Sequence, residues 1–209
     1  MRKIIVSIHS SFDGIVTGPK NDERNFATWA QDGIGDVMEM FPDVFETVDT
    51  ILLGRGTYED LSTRWPLVKE WPNTNDTVLR LGELVNNTPK LVVTSQHGIG
   101  DLKWGTFDAP KKLAGPDIEE QIRQLKNQEG GDIITFGSPI LVQSLTNANL
   151  VDDYRILVHP VIVGEGRHLF SNITERKDLR LKSIRTFNHG ASLVHYELAQ
   201  SQTQAKITV

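Results

Sequence analysis

Apolar residues fall in short runs separated by helical or turn-forming stretches. KIIVSIH (Lys3–His9), TILLG (Thr50–Gly54), KLVVTS (Lys90–Ser95) and DIITFG (Asp132–Gly137) are apolar at most positions. Strands with that pattern are buried on both faces, which predicts parallel pairing with helices on each side. YRILVHPVIVGEG (Tyr154–Gly166) reads as a fifth strand, long or broken, because Pro160 removes a ladder donor.

Between these runs the period becomes helical. In GPDIEEQIRQLKNQEGG, Pro116 fits the first helical position, and Asp117, Glu119 and Glu120 suit the positive end of the dipole. Ile118, Ile122 and Leu125 form one buried stripe, and Gly130 and Gly131 end the helix. In SPILVQSLTNA, Ser138 is placed as an N-cap and Pro139 as the first helical residue. A looser pattern covers Asp36–Val48, restarted at Pro42. Near the C-terminus, LRLKSIRTF and SLVHYEL alternate apolar with polar residues, and Gly190 lies in the link between them. That predicts an antiparallel hairpin. The expectation is an α/β fold in one domain over residues 1–200. Its central sheet is mainly parallel, with helices on both faces and a C-terminal antiparallel hairpin. A polar tail, 201–209, either frays or adds a strand from KITV.

Composition narrows the chemistry. The chain has 209 residues and no cysteine, which excludes a disulfide framework and a thiolate zinc site. The net charge of −5 offers no global basic field to nucleic acid. The N-terminal run is broken by Ser7 and His9 and reads as a strand. No run approaches the roughly 20 apolar residues of a membrane span. A cytoplasmic protein with no membrane partner is expected.

Three strand ends carry residues suited to oxyanions. GRGTYED follows the second strand. Glu59 stands where the dinucleotide fingerprint needs its third glycine, and the P-loop Gly-Lys-Ser/Thr is absent. What remains is a glycine turn (Gly54, Gly56), Arg55 and Thr57 at a helix start. That suits a phosphate dianion or serves as a plain helix start. Thr94 and Ser95 end the third strand, where open α/β sheets bind ligands; they also make an ordinary strand end. Gly137 and Ser138 open a helix whose free amides suit a pyrophosphate, or simply cap it. One dinucleotide laid across these carboxyl edges would use all three. After the long strand, Gly164, Glu165 and Gly166 allow a ligand to approach the backbone. Asp13-Gly14 either forms a turn or places a carboxylate near a reacting ring. No zinc-deaminase, nucleophile-elbow or i, i+4 histidine motif appears, and no metal is expected.

The ordered series SFDGIVTGP, ILLGRGTYEDLSTRWP, LVVTS, DIITFGSPILVQSL and LVDDYRILVHPVIVGEGRHLF resembles the dihydrofolate-reductase-like superfamily. More narrowly, it is similar to the C-terminal reductase domain of the riboflavin-biosynthesis deaminase-reductase. The resemblance runs from about Lys3 to Leu198. It implies that fold, a homodimer and NADPH as hydride donor. Arg55 and Thr57 would be cofactor phosphate contacts, and Gly54 and Gly56 the cofactor-binding turn beneath them. Thr94 and Ser95, helped by Arg55, would hold the 2′-phosphate. Gly137, Ser138, Pro139 and Ile140 would hold the pyrophosphate. Asp13 is the implied catalytic candidate, and Gly14, Gly164, Glu165 and Gly166 the implied substrate side. Asp32 and Asp36 lie where true dihydrofolate reductases carry their folate-anchoring carboxylate. The expected function is NADPH-dependent reduction of a small heterocyclic or carbonyl substrate; the alternative is a non-catalytic NADP(H) sensor or a structural homodimer.

Overall fold

The computed structural model describes residues 1–18, 28–30, 38, 41–72, 74–94 and 100–199. Eight strands form one sheet: β1 (Ile4–Ser11), β2 (Val48–Gly54), β3 (Lys90–Thr94), β4 (Lys111–Ala114), β5 (Asp132–Phe136), β6 (Asp153–His159), β7 (Leu179–Thr186) and β8 (Ser192–Leu198). Their spatial order is β4-β3-β2-β5-β1-β6-β8-β7. The first six run parallel; β8 pairs antiparallel to β6 and to β7. The expected sheet and hairpin are both present, and Gly190 adopts φ +83° in the hairpin link.

The helices are α1 (Phe41–Val44), α2 (Arg55–Arg64), α3 (Asp76–Asn87), α4 (Ile118–Asn127) and α5 (Pro139–Asn147). Alternation along β1 feeds two cores. Ile4, Val6 and Ile8 join Ile122, Leu141 and Leu145 under α4 and α5, while Ile5 joins Phe45, Leu81, Val85 and Trp104 on the other face. This is why the parallel strands are apolar on both sides. Among the described residues no helix is long and apolar enough to cross a membrane.

Several boundaries differ from the sequence reading. The long strand stops at His159, because Pro160 cannot donate to the ladder. Pro116 lies ahead of α4, whose first residue is Ile118 after an uncapped Asp117. Of the pattern over Asp36–Val48, α1 accounts for Phe41–Val44; residues 36, 37, 39 and 40 lie outside the described set, as does the tail from 200 onward. The reading missed α3, and it missed β4, whose KKLA is too polar and short to stand out.

Gly82 in α3 shows packing overriding propensity. A Cβ there would lie 2.5 Å from Val68 Cγ1, in the 3-10 turn that follows α2. Helix propensity alone favours Gly82→Ala by about 1 kcal/mol. The expected outcome is instead a loss of about 1–3 kcal/mol in urea unfolding, from overpacking against Val68.

Candidate functional site

The site is built where β2 and β5, adjacent in the sheet, turn into α2 and α5. The first amides of each helix have no intrahelical acceptor, and they carry the positive end of the dipole. Gly137 and Ser138 both turn left-handed, at φ 52° and 51°. For a serine this costs roughly 1–2 kcal/mol. Three hydrogen bonds offset it. The Ser138 N–H donates to Thr57 Oγ1 at 2.9 Å, Gly54 N–H donates to Ser138 Oγ at 2.9 Å, and Ser138 Oγ–H donates to the Phe136 carbonyl at 3.0 Å. Ser138 therefore sits at the N-cap position, as expected, but its oxygen does not cap α5. It ties the two turns together instead.

Above the turns lies a cavity of 880 Å³, near the upper end of small-molecule sites at about 300–1,000 Å³. Of the sequence-predicted cofactor residues, Gly54, Arg55, Gly56, Thr57, Thr94, Ser138, Pro139 and Ile140 all line it. Ser95 lies outside the described residues. Gly137 lines a second cavity. Arg55 is partly exposed, and its Nε donates to Glu59 Oε1 at 2.7 Å, which orients the guanidinium along α2. Nothing lies within 4 Å of a Cβ built on Gly56, so open space faces the turn. Thr17, Gly18, Gly166 and Arg167 form another part of the wall.

Asp13 and the glycines assigned to the substrate side build that wall rather than line the second cavity. The Asp13 carboxylate accepts from Ser11 Oγ at 2.6 Å and from the backbone N–H groups of Val163 and Gly164 at 3.1 and 2.7 Å. The Ser11 bond, followed by the two amides, holds its pKa down to about 2. Gly14 and Gly164 are left-handed, and a Cβ on Gly166 would meet Ile15 at 2.6 Å. Gly14, Gly164 and Glu165 line neither cavity; Gly166 lines the first.

The second cavity, 230 Å³, was not legible in the sequence. Phe41, Phe136, Trp65 and Trp71 wall it, with Leu61, Leu81 and Val85. Phe136 is braced by Phe41 and Phe45 at ring separations of 5.8 and 6.0 Å, and Trp65 packs on Trp71 at 5.2 Å. Its polar groups include Ser7, His9, Thr57 and the bonded pair Asp60–Arg64. Thr57 lines both cavities. His9 Nδ1 lies 2.9 Å from His159 Nε2, with the two rings 21° from coplanar and their centroids 5.1 Å apart. Burial, then the neighbouring His159, pushes His9 down to about 4; burial also lowers His159. The one available signal was the density of aromatics in RWPLVKEW.

The chain matches the RibD C-terminal domain family over residues 2–193. It belongs to that family. A Bacillus subtilis (strain 168) relative, the uncharacterized protein YyaP, is 31% identical over 195 residues, covering 93% of this chain and 94% of its own. A putative riboflavin biosynthesis protein from Shewanella sp. PV-4 superposes with a TM-score of 0.69 at 18% identity, over 95% of this chain and 99% of that one. Dihydrofolate reductase from Enterococcus faecalis, complexed with NADP(H) and RAB-propyl, superposes with a TM-score of 0.57 at 15% identity, over 95% and 97%. The dihydrofolate-reductase-like fold is thus shared. Among the described residues no group of three or more His, Cys, Asp or Glu side chains could hold a metal ion.

Three outcomes follow. Ser138→Ala strands the Gly54 N–H and removes the side-chain half of the tie between the turns, leaving the backbone bond to Thr57; a loss of about 1–3 kcal/mol in chemical denaturation is expected. The histidine pair gives the second. Below pH 6.5 the unfolded chain takes up protons that the folded chain refuses until about pH 4, so stability falls as pH drops through that window. At pH 5, His9 alone accounts for about 2 kcal/mol relative to pH 7. His9→Gln should remove most of that difference in urea unfolding. Asp13 acts in a separate window, its stabilising effect fading only as pH falls below about 4 toward 2.

Proposed function

We propose that the protein is an NADPH-dependent reductase of a small, flat, uncharged heterocyclic or carbonyl compound. The observation that carries this reading is the pair of cavities meeting at Thr57. The larger has two helix N-termini, Arg55 and Thr94, a donor set that fits a dinucleotide diphosphate bearing an extra phosphate. NADP(H) is also the ligand named for the Enterococcus reductase that shares the fold. Bound there, the cofactor would supply the hydride.

This chain's residues bind and orient. The amides of α2 and α5 hold the diphosphate, Arg55 meets the phosphate that separates NADP from NAD, and Thr57 marks the boundary to the substrate. Aromatic walls exclude water and accept a planar ring, while Asp60 and Arg64 present an acceptor beside a donor to its polar edge. Asp13 serves as a clamp on the 163–164 turn, since three donors already use its carboxylate.

The expected homodimer belongs to the same proposal. Edge strand β7 exposes Leu179, Leu181 and Ile184. A bulge after Leu181 resets the register, so Ile184 faces Val194 as Leu181 faces Tyr196, keeping the apolar row on one side. Light scattering should report a dimer that Ile184→Lys converts to monomer; a monomeric wild type contradicts this part.

For the cofactor, calorimetry should show NADPH bound more tightly than NADH, with Arg55→Ala removing about 10- to 100-fold of that preference. An unchanged preference would rule out the role of Arg55. Oxidation of NADPH should follow with some member of a panel of dihydropterins, pyrimidines, quinones and aryl ketones. Tight NADPH binding with no oxidation would favour a sensor.

A further inference from the structure

Reduction of a C=N or C=O bond needs a hydride and a proton, and the reductase reading leaves the proton without a source. Asp13 lies outside the second cavity with its carboxylate bonded to three donors. Asp60 lines the cavity but is bonded to Arg64. His9 remains, on β1, with Nδ1 engaged by His159 across the β1–β6 pairing. Trp29 packs against the His159 ring in a T-shaped pair, with centroids 5.6 Å apart. Trp29 is itself tied through Nε1 to the Thr17 carbonyl at 3.2 Å.

We infer that His9 and His159 form a two-ring proton relay serving the second cavity, in which His9 Nε2 protonates the substrate and His159 resupplies His9 through the 2.9 Å bond. The relay rests on the reductase reading above. Its resting arrangement has His159 Nε2–H donating to His9 Nδ1, with His9 carrying its own hydrogen on Nε2. As hydride reaches the substrate carbon, the His9 Nε2–H bond breaks and a bond to the substrate nitrogen or oxygen forms. The His159 proton passes to His9 Nδ1, and His159 takes a proton from water at Nδ1. Both rings begin and end neutral in opposite tautomers, and exchange with water restores them. The two rings lie edge to edge, 21° from coplanar with centroids 5.1 Å apart, which puts the bonded nitrogens in line for proton transfer, and burial disfavours a standing imidazolium in either ring. The charged groups facing the same cavity, Asp60 and Arg64, neutralise each other. His9 is thus a catalytic residue and His159 a positioning and supplying one.

The test uses the full chain, NADPH and two probes: a neutral cyclic aryl imine, which needs hydride and proton, and its N-methylated iminium cation, which needs hydride alone. His9→Gln and His159→Gln should each slow the neutral imine by about 100-fold and leave the cation and NADPH affinity unchanged. Equal loss on both probes overturns the relay while the reductase reading stands. NADPH oxidation in the wild type by neither probe and by no member of the panel above overturns that reading, and the relay with it. A readout without turnover is nitrogen-15 NMR of the histidine rings at neutral pH. Two neutral rings with the His9 proton on Nε2 support the relay; an imidazolium, or a His9 proton on Nδ1, overturns it.

Discussion

The geometry above the sheet depends on two hydrogen bonds between neighbouring turns. Gly54 N–H donates to Ser138 Oγ, and Ser138 N–H donates to Thr57 Oγ1. β2 and β5 are neighbours, so α2 and α5 start side by side. Without these bonds, two positive helix ends would face each other across a gap. The tie requires Ser138 to be left-handed, a strain of roughly 1–2 kcal/mol that three hydrogen bonds of about 1 kcal/mol each can offset. A fixed pair of helix ends is what an extended phosphate ligand demands.

The same tie fixes the border between the two cavities. Thr57 Oγ1 is held by Ser138, and Gly137 beside it takes the left-handed backbone, φ +52°, that favours glycine. On one side are helix ends and Arg55; on the other, aromatic rings and His9. The two cavities therefore share one wall. The 11–18 and 159–169 segments close the larger cavity, held by Asp13 bonding to two backbone amides of the opposite segment.

Much of this was legible in sequence because it rests on local rules. Both-face apolar runs gave parallel strands, and glycines and hydroxyls at strand ends marked the first cavity. The role of the hydroxyls was not legible. Ser138 and Thr57 looked like ligand contacts, yet they spend hydrogen bonds on each other across 81 residues. No local pattern encodes such a pairing. Likewise Phe41, the Trp65–Trp71 pair and Phe136 come from three separate segments, so the second cavity exists only after folding. His9 and His159, 150 residues apart, meet only because β1 pairs with β6. Asp13 read as a catalytic candidate because a turn aspartate and a reacting one look alike until their donors are seen.

The central claim is that one dinucleotide spans the larger cavity and presents its reactive ring to the smaller at Thr57. A crystal structure of the NADPH complex tests it most directly. The account predicts the diphosphate on the amides of α2 and α5, the 2′-phosphate on Arg55, and the nicotinamide ring beside Thr57 and Gly137, open to His9. A nicotinamide placed away from Thr57, or phosphates away from both helix ends, would contradict it.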